Sequence, residues 1–139
     1  MDLPRRVYLT SATRRHAQLV RCRAALAVLG IETTSRWLDA YGGPTYLDDL
    51  WARPEAYAQL ARDDLADVAA ADTFITVAAF GAGKGGRHVE LGYALALGKR
   101  VILVGRVEHV FHALPEVEWF DDWAGLVSVL TLAAERGRT

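Results

Sequence analysis

Glu90 and Asp64 are the two carboxylates in this sequence whose surroundings give them chemistry to do. Glu90 lies at the start of a helical stretch, His88 to Leu97, directly after the loop Gly81-Ala82-Gly83-Lys84-Gly85-Gly86. A first-turn acid can simply favour the helix dipole, by roughly 0.3–1 kcal/mol. The same dipole, with Arg87 beside it, is expected to keep the carboxylate ionised at neutral pH, and an ionised carboxylate at a strand's carboxyl end suits a nucleophile. Asp64 falls by helical spacing within the apolar stripe Tyr57, Leu60, Ala61, Leu65 and Val68. Asp63 falls outside that stripe and Asp67 at its edge, so both read as solvated. A carboxylate on an inward face is costly unless paired or used; a buried salt bridge or a cap is the competing role for Asp64. Two carboxylates flanking a glycosidic bond fit retaining chemistry, one attacking the anomeric carbon and the other handling the proton.

The glycine loop matches G-x-G-x-x-G, follows an apolar run and opens a helix, the context of a dinucleotide fingerprint. Two features oppose that reading. The loop follows the third strand rather than the first, and the nearest later acid, Glu108, lies beyond the next strand in a loop. Moreover, a carboxylate at Glu90 would repel the pyrophosphate that the helix start is meant to attract. A phosphate-binding P-loop is excluded because Lys84 is not followed by Ser or Thr.

The elements that must position these groups alternate between strands and helices. Arg6–Thr10 reads as a strand and Thr13–Leu29 as a helix closed by Gly30, with Cys22 on its apolar stripe. Ile31–Thr34 is a short strand, and Ser35–Arg53 an irregular segment holding Trp37, Tyr41, Tyr46 and Trp51. A helix from Pro54 to Ala71 leads into a strand over Thr73–Ala79, preceded by Asp72 as a turn or backbone-capping residue. The helix over His88–Leu97 is closed by Gly98; strands over Arg100–Val104 and Val117–Phe120 and a helix over Trp123–Glu135 follow. The expected fold is a three-layer α/β domain spanning residues 1–139, with about five mostly parallel strands, flavodoxin-like or Rossmann-like in plan. Such sheets bind ligands beyond the carboxyl ends of their strands, so the places to look follow Thr10, Thr34, Ala79 and Val104.

Bulk properties narrow the partners. The chain has 139 residues, 52% hydrophobic and 24% charged, with a net charge of −1. Acids and bases are mixed along it, which gives no electrostatic case for a nucleic-acid polymer or an anionic membrane. A single cysteine excludes an intramolecular disulfide and a Cys-rich zinc site. There is no signal-peptide layout and no membrane-spanning run, so the expected location is the cytoplasm.

The run Gly85-Gly86-Arg87-His88-Val89-Glu90-Leu91-Gly92-Tyr93-Ala94-Leu95-Ala96-Leu97-Gly98-Lys99-Arg100-Val101 resembles the signature of the nucleoside 2-deoxyribosyltransferase family, which includes 2'-deoxynucleoside 5'-phosphate N-hydrolases. Val7-Tyr8-Leu9, Asp63-Asp64-Leu65 and the Val110-Phe111-His112 run followed by Leu114-Pro115 extend the similarity over nearly the whole chain. The resemblance implies that Glu90 is the nucleophile and forms a covalent glycosyl-enzyme intermediate. It also implies that Tyr8 orients Glu90 and that Asp64 contacts the sugar and assists proton transfer. The loop after the first strand would surround the sugar and any 5'-phosphate with Thr10, Ser11 and Arg14. Phosphate-using members carry a Ser before the nucleophile; this chain instead offers Gly85, Gly86 and Arg87 beside Lys84, and its first loop lacks a Gly often found there. The family is oligomeric, so a homo-oligomer is expected.

Among other residues, Arg14 is a candidate for phosphate or sugar contact, since a guanidinium suits phosphate. Trp37 is a candidate for stacking on a base, with packing of a lid as its alternative, the role favoured for Trp51. His88 and His16 read as exposed or helix-edge residues. His109 and His112, spaced i and i+3, lack a clear third ligand, so neither metal nor cofactor is expected. The expected function is cleavage of the N-glycosidic bond of a nucleoside or nucleoside 5'-monophosphate, with the sugar passing to another base or to water. A non-catalytic nucleotide-binding module of the same fold is the alternative.

Overall fold

A computed structural model describes residues 1–43, 52–81 and 83–138; Tyr46 and Trp51 lie outside the described residues. Five strands form one sheet: β1 (Arg6–Thr10), β2 (Glu32–Thr33), β3 (Thr73–Val77), β4 (Arg100–Val104) and β5 (Val117–Phe120). Every pairing is parallel and the order is β2-β1-β3-β4-β5. Parallel strands need crossovers; α1 (His16–Val28), α2 (Trp37–Ala40), α3 (Pro54–Ala70) and α4 (Gly86–Ala96) supply those from β1 to β4, a 3-10 turn lies between β4 and β5, and α5 (Trp123–Arg136) follows the last strand. Helices α3 and α4 cover one face of the sheet, and α1 and α5 pack together over the other. The result is the expected three-layer α/β plan. Strands β3 and β4 are buried nearly throughout because both their faces are covered.

Local chemistry sets the element ends. Pro54 occupies the first turn of α3, and the Asp122 carboxylate caps α5 by accepting the Gly125 N–H at 2.7 Å. Asp72 has the backbone-capping role read from its position, accepting the Arg5 and Arg6 N–H groups at 3.0 and 2.9 Å. Cys22 is buried, and burial pushes its thiol up to about 11, so it is an inert core residue.

Several boundaries differ from the sequence reading. A short 3-10 turn, Thr13–Arg15, precedes α1, and the segment expected to be irregular contains α2. Strand β3 stops at Val77, where the Ala78 N–H turns to the Val104 carbonyl. Helix α4 begins at Gly86 rather than His88, which makes Glu90 its fifth residue and moves it beyond the first turn. The helix dipole therefore acts on Glu90 less than expected.

Gly105, which ends β4, has φ +110°, and a Cβ there would lie 2.9 Å from the Ala78 Cβ. Gly105→Ala is expected to cost about 2–4 kcal/mol, combining an unfavourable backbone conformation with overpacking. The midpoint of urea unfolding measures this; a change under about 0.5 kcal/mol would show that the loop relaxes freely.

Candidate active site

Strand β1 supplies the floor of the site. Side chains alternate along a strand, so Tyr8 and Thr10 project to the same face. There the Tyr8 hydroxyl donates to Glu90 Oε2, and the Thr10 hydroxyl donates to Oε1 at 3.0 Å. Tyr8 pairs in register with Phe74 of β3, and the two rings stack with centroids 5.7 Å apart. That stack fixes the direction of the phenol. Helix α4 can start where it does because Gly85 adopts a left-handed conformation, φ +94°, which turns the loop into the helix.

Glu90 is only 9% exposed. Burial pushes its carboxyl up to about 7, although the two hydroxyls favour the anion. This corrects the expectation that Arg87 and the dipole keep Glu90 ionised. Arg87 is itself buried and commits its guanidinium to Glu108 in a two-point ion pair, at 2.6 and 2.7 Å, and to the Ala79 carbonyl at 3.1 Å. Burial alone would raise the Glu108 carboxyl, but the Arg87 bonds and the Ala79 N–H outweigh it and hold it below the usual range. The Arg87 charge is thus matched before it reaches Glu90.

Both side chains of that pair are under 10% exposed, so breaking it is expected to be expensive. Glu108→Gln should cost about 3–5 kcal/mol, because it leaves a buried guanidinium unmatched. The same unmatched charge should lower the Glu90 pKa from about 7. Urea unfolding and the acidic limb of a pH–rate profile measure the two effects. A limb that stays put would show that Arg87 and Glu90 are electrostatically insulated.

Asp64 enters the same hollow from α3. Burial pushes its carboxyl up to about 7, with further repulsion from Glu90, Asp67 and Asp63, while Arg36 opposes the rise. Its Oδ1 is buried without a hydrogen-bond partner. Asp67, read as solvated, is instead buried and accepts the Arg36 N–H at 3.0 Å and the Arg36 Nε–H at 2.9 Å. Residue spacing on α3 could not reveal this, because Arg36 arrives from the far side of β2.

Glu90 and Asp64 line a cavity of about 570 Å³, within the range of small-molecule sites. Its polar rim comes from Thr10, Ser11 and Thr13 after β1 and from Gly83, Lys84, Gly85, Gly86 and Arg87 after β3. Strand order reverses between β1 and β3, so the cavity sits at the topological switch point. Tyr57, Leu60 and Leu65 of α3, with Trp37 and Tyr41, make an apolar wall opposite. A second hollow lies between Met1–Leu3 and the end of α5; its charged side chains, Asp2, Arg136 and Arg138, are all exposed.

The structure brings together most of the residues read from the sequence. Ser11 is buried and donates to the Val77 carbonyl at 2.7 Å, tying the β1 loop to the end of β3. Trp37 is held as part of the wall by its indole N–H, which donates to the Leu9 carbonyl at 3.1 Å. Arg14 does not line the cavity; it is exposed and donates to the Phe80 carbonyl at 3.2 Å. Ser35 was missed, although its hydroxyl accepts the Leu9 N–H at 2.7 Å and so braces β1 beside Tyr8 and Thr10. Glu108 was noted only as a loop acid; its place after the end of β4 was the available signal.

No protein-family model and no curated protein sequence matches the chain. Its fold does have a solved counterpart. The chain is similar to the CMP N-glycosidase BcmB of Clostridium botulinum. The TM-score is 0.58 and the identity 21%, over 92% of this chain and 99% of that one. At this identity the likeness establishes the shared fold.

Tyr8 is the residue whose removal isolates the orientation of Glu90. Burial and the nearby Glu90 and Asp64 charges raise its own pKa, so it acts as a hydroxyl donor and stays neutral. Tyr8→Phe should keep the ring stack and lose one hydrogen bond to a carboxylate, about 1.5–3 kcal/mol. The expected consequence is a 10–100-fold fall in any Glu90-dependent rate and an acidic limb moved upward. An unchanged profile would reduce Tyr8 to a packing role.

Proposed function

We propose that this chain cleaves the N-glycosidic bond of a nucleoside or nucleoside 5'-monophosphate through a covalent glycosyl–Glu90 intermediate. The observation that carries this reading is the pairing of two unlike carboxyls in one cavity. Glu90 receives two hydroxyl donors, which favour its anion, whereas Asp64 has an unpartnered oxygen and faces the repulsion of three other carboxylates. With both pushed up to about 7, the pair carries roughly one proton at neutral pH, and the two hydroxyl donors on Glu90 favour leaving that proton with Asp64. That is the division of labour a retaining glycosidase requires.

In the first half-reaction the Glu90 carboxylate attacks the anomeric carbon as the bond to the base breaks, and Asp64 gives its proton to the departing base. The now ionised Asp64 then takes a proton from water, or from an acceptor base, which attacks the same carbon and releases Glu90. Protons and charge balance over the cycle. The apolar wall of Trp37, Tyr41, Tyr57, Leu60 and Leu65 faces a nucleobase, and the Lys84–Gly86 loop suits a 5'-phosphate. The fold likeness to a nucleotide N-glycosidase supports this substrate class, as does the similarity of the Glu90 block to the nucleoside 2-deoxyribosyltransferase family. A homo-oligomer in the cytoplasm belongs to the same reading, and the exposed apolar residues Val89, Val110 and Phe111 support the oligomer. None of the described helices is long and apolar enough to cross a membrane.

The test is incubation with a panel of nucleosides and 5'-monophosphates, CMP included, with and without an acceptor base, following free base by chromatography. Release without acceptor marks a hydrolase, and release only with acceptor a transferase. Ligand-dependent thermal stabilisation without any release across the panel would sink the enzymatic reading in favour of a nucleotide-binding module.

A further inference from the structure

Three of the chain's four histidines meet at one corner of the carboxyl edge of the sheet. His88 lies in the first turn of α4, while His109 and His112 come from the segment after β4, His112 within a 3-10 turn over Val110–Ala113. Ring centroids are 4.6 Å apart for His88 and His109 and 3.9 Å apart for His109 and His112. One ligand atom from each ring lies within 4.8 Å of the other two. The third ligand that the sequence spacing could not supply is therefore His88, brought in from another element.

The cluster is not satisfied as it stands. His88 Nδ1 and His109 Nε2 share one hydrogen bond at 3.0 Å, and the Glu108 N–H donates to His112 Nδ1 at 3.1 Å. His109 Nδ1 and His112 Nε2 remain buried with no protein partner, and His112 is only 3% exposed. Buried polar atoms of this kind call for a water or an ion. A neutral imidazole is the form that ligates a metal. None of the three histidines lines the carboxylate cavity, and the glycosidic chemistry makes no use of them.

We propose that His88, His109 and His112 form a site for one divalent transition metal of the imidazole-preferring class, such as zinc, cobalt or nickel, with the remaining position left to water. Tetrahedral zinc–nitrogen bonds of about 2.0–2.1 Å place ligand atoms about 3.3 Å apart. The His88–His109 edge already stands close to this at 3.0 Å, and the widest separation must close by about 1.5 Å, a side-chain movement. Turning the His112 ring gives up the Glu108 N–H contact, places the ring proton on Nδ1 and frees Nε2 for the ion. A bound ion would join the start of α4, two residues before Glu90, to the loop that carries Glu108. The inference stands apart from the glycosidase reading, and its test does not use activity.

Tag-free protein, freed of metal with a chelator, is titrated with Co(II) and with Zn(II). Visible absorption and calorimetry report binding, and thermal melting reports the linked stabilisation. One ion per chain, with cobalt bands of low coordination number and a raised Tm, is the expected result. His109→Ala and His88→Ala, each confirmed folded by circular dichroism, should each weaken binding at least about 100-fold, since losing a direct ligand costs more than losing an outer-sphere partner. His112 is too buried to serve as the first variant. No saturable binding, a stoichiometry other than one per chain, or binding unchanged in the His88→Ala/His109→Ala double variant would overturn the proposal.

Discussion

Glu90→Gln is expected to lower release of free base by about 10,000-fold or more, with substrate affinity changed less than tenfold. The amide keeps the shape of the side chain; its oxygen still accepts from one of the two hydroxyls, and the other hydroxyl turns to accept from the amide N–H. What it loses is the electron pair that attacks the anomeric carbon. Chromatography of free base and calorimetry of substrate binding separate the two quantities. Activity within tenfold of the parent would remove Glu90 from the chemistry. The same variant has a stability signature of opposite sign. The folded-state carboxyl is pushed up to about 7 by burial, above its unfolded value, so the native state holds the proton more tightly. The associated stability is fully present below about pH 4.5 and is lost as pH rises through about 7. At pH 8 the wild type therefore bears a penalty of up to about 3 kcal/mol that glutamine lacks. Thermal melts should show Glu90→Gln more stable at pH 8, with the gap closing towards pH 4.5.

Asp64→Asn should lower kcat about 100- to 10,000-fold through loss of general acid and base catalysis. Because both carboxyls are pushed up to about 7, the parent enzyme should show a narrow bell in kcat/KM centred near neutrality. The limbs belong to the coupled pair, whose active form has Glu90 ionised and Asp64 protonated. Asparagine cannot titrate, so the alkaline limb should vanish while the acidic limb remains. Substrates whose base departs without a proton should lose far less rate than those needing protonation. An unaltered bell in Asp64→Asn would assign the acid to another group.

The comparison of sequence with structure divides along a physical line. Strands β1, β3 and β4 were legible because a strand covered on both faces is apolar along most of its length, and that pattern is local. Glu90 and Asp64 were legible because each sits against its context, one between a glycine loop and an apolar helix, the other on an apolar stripe. The stripe read as an inward face holds two kinds of residue: Tyr57, Leu60 and Leu65 are half-buried and form the cavity wall, and of the stripe only Val68 is fully packed. Helical spacing tells that a face is apolar; whether protein or a ligand covers it depends on what stands opposite.

Charge placement was the least legible feature. Arg87 adjoins Glu90 in sequence and was assigned to it, but Glu108, 21 residues on, claims the guanidinium. Asp67 reads as solvated by spacing, yet it is buried and paired with the exposed guanidinium of Arg36, 31 residues earlier. An ion pair forms wherever geometry offers two donors facing two acceptors, and sequence distance does not enter that balance. The same holds for His88, which joins His109 and His112 only because β3 and β4 are neighbours.

By itself, then, the sequence determined the alternation of strands and helices, the position of a carboxylate after β3, and a second one on an inward helix face, because all three follow from residue type and period. The tertiary structure alone decided that the cavity opens between β1 and β3, since a switch point exists only once the strand order does. It also decided that Glu90 is governed by burial rather than by its neighbour Arg87, because the dielectric around a carboxyl and the partner of a guanidinium are properties of packing.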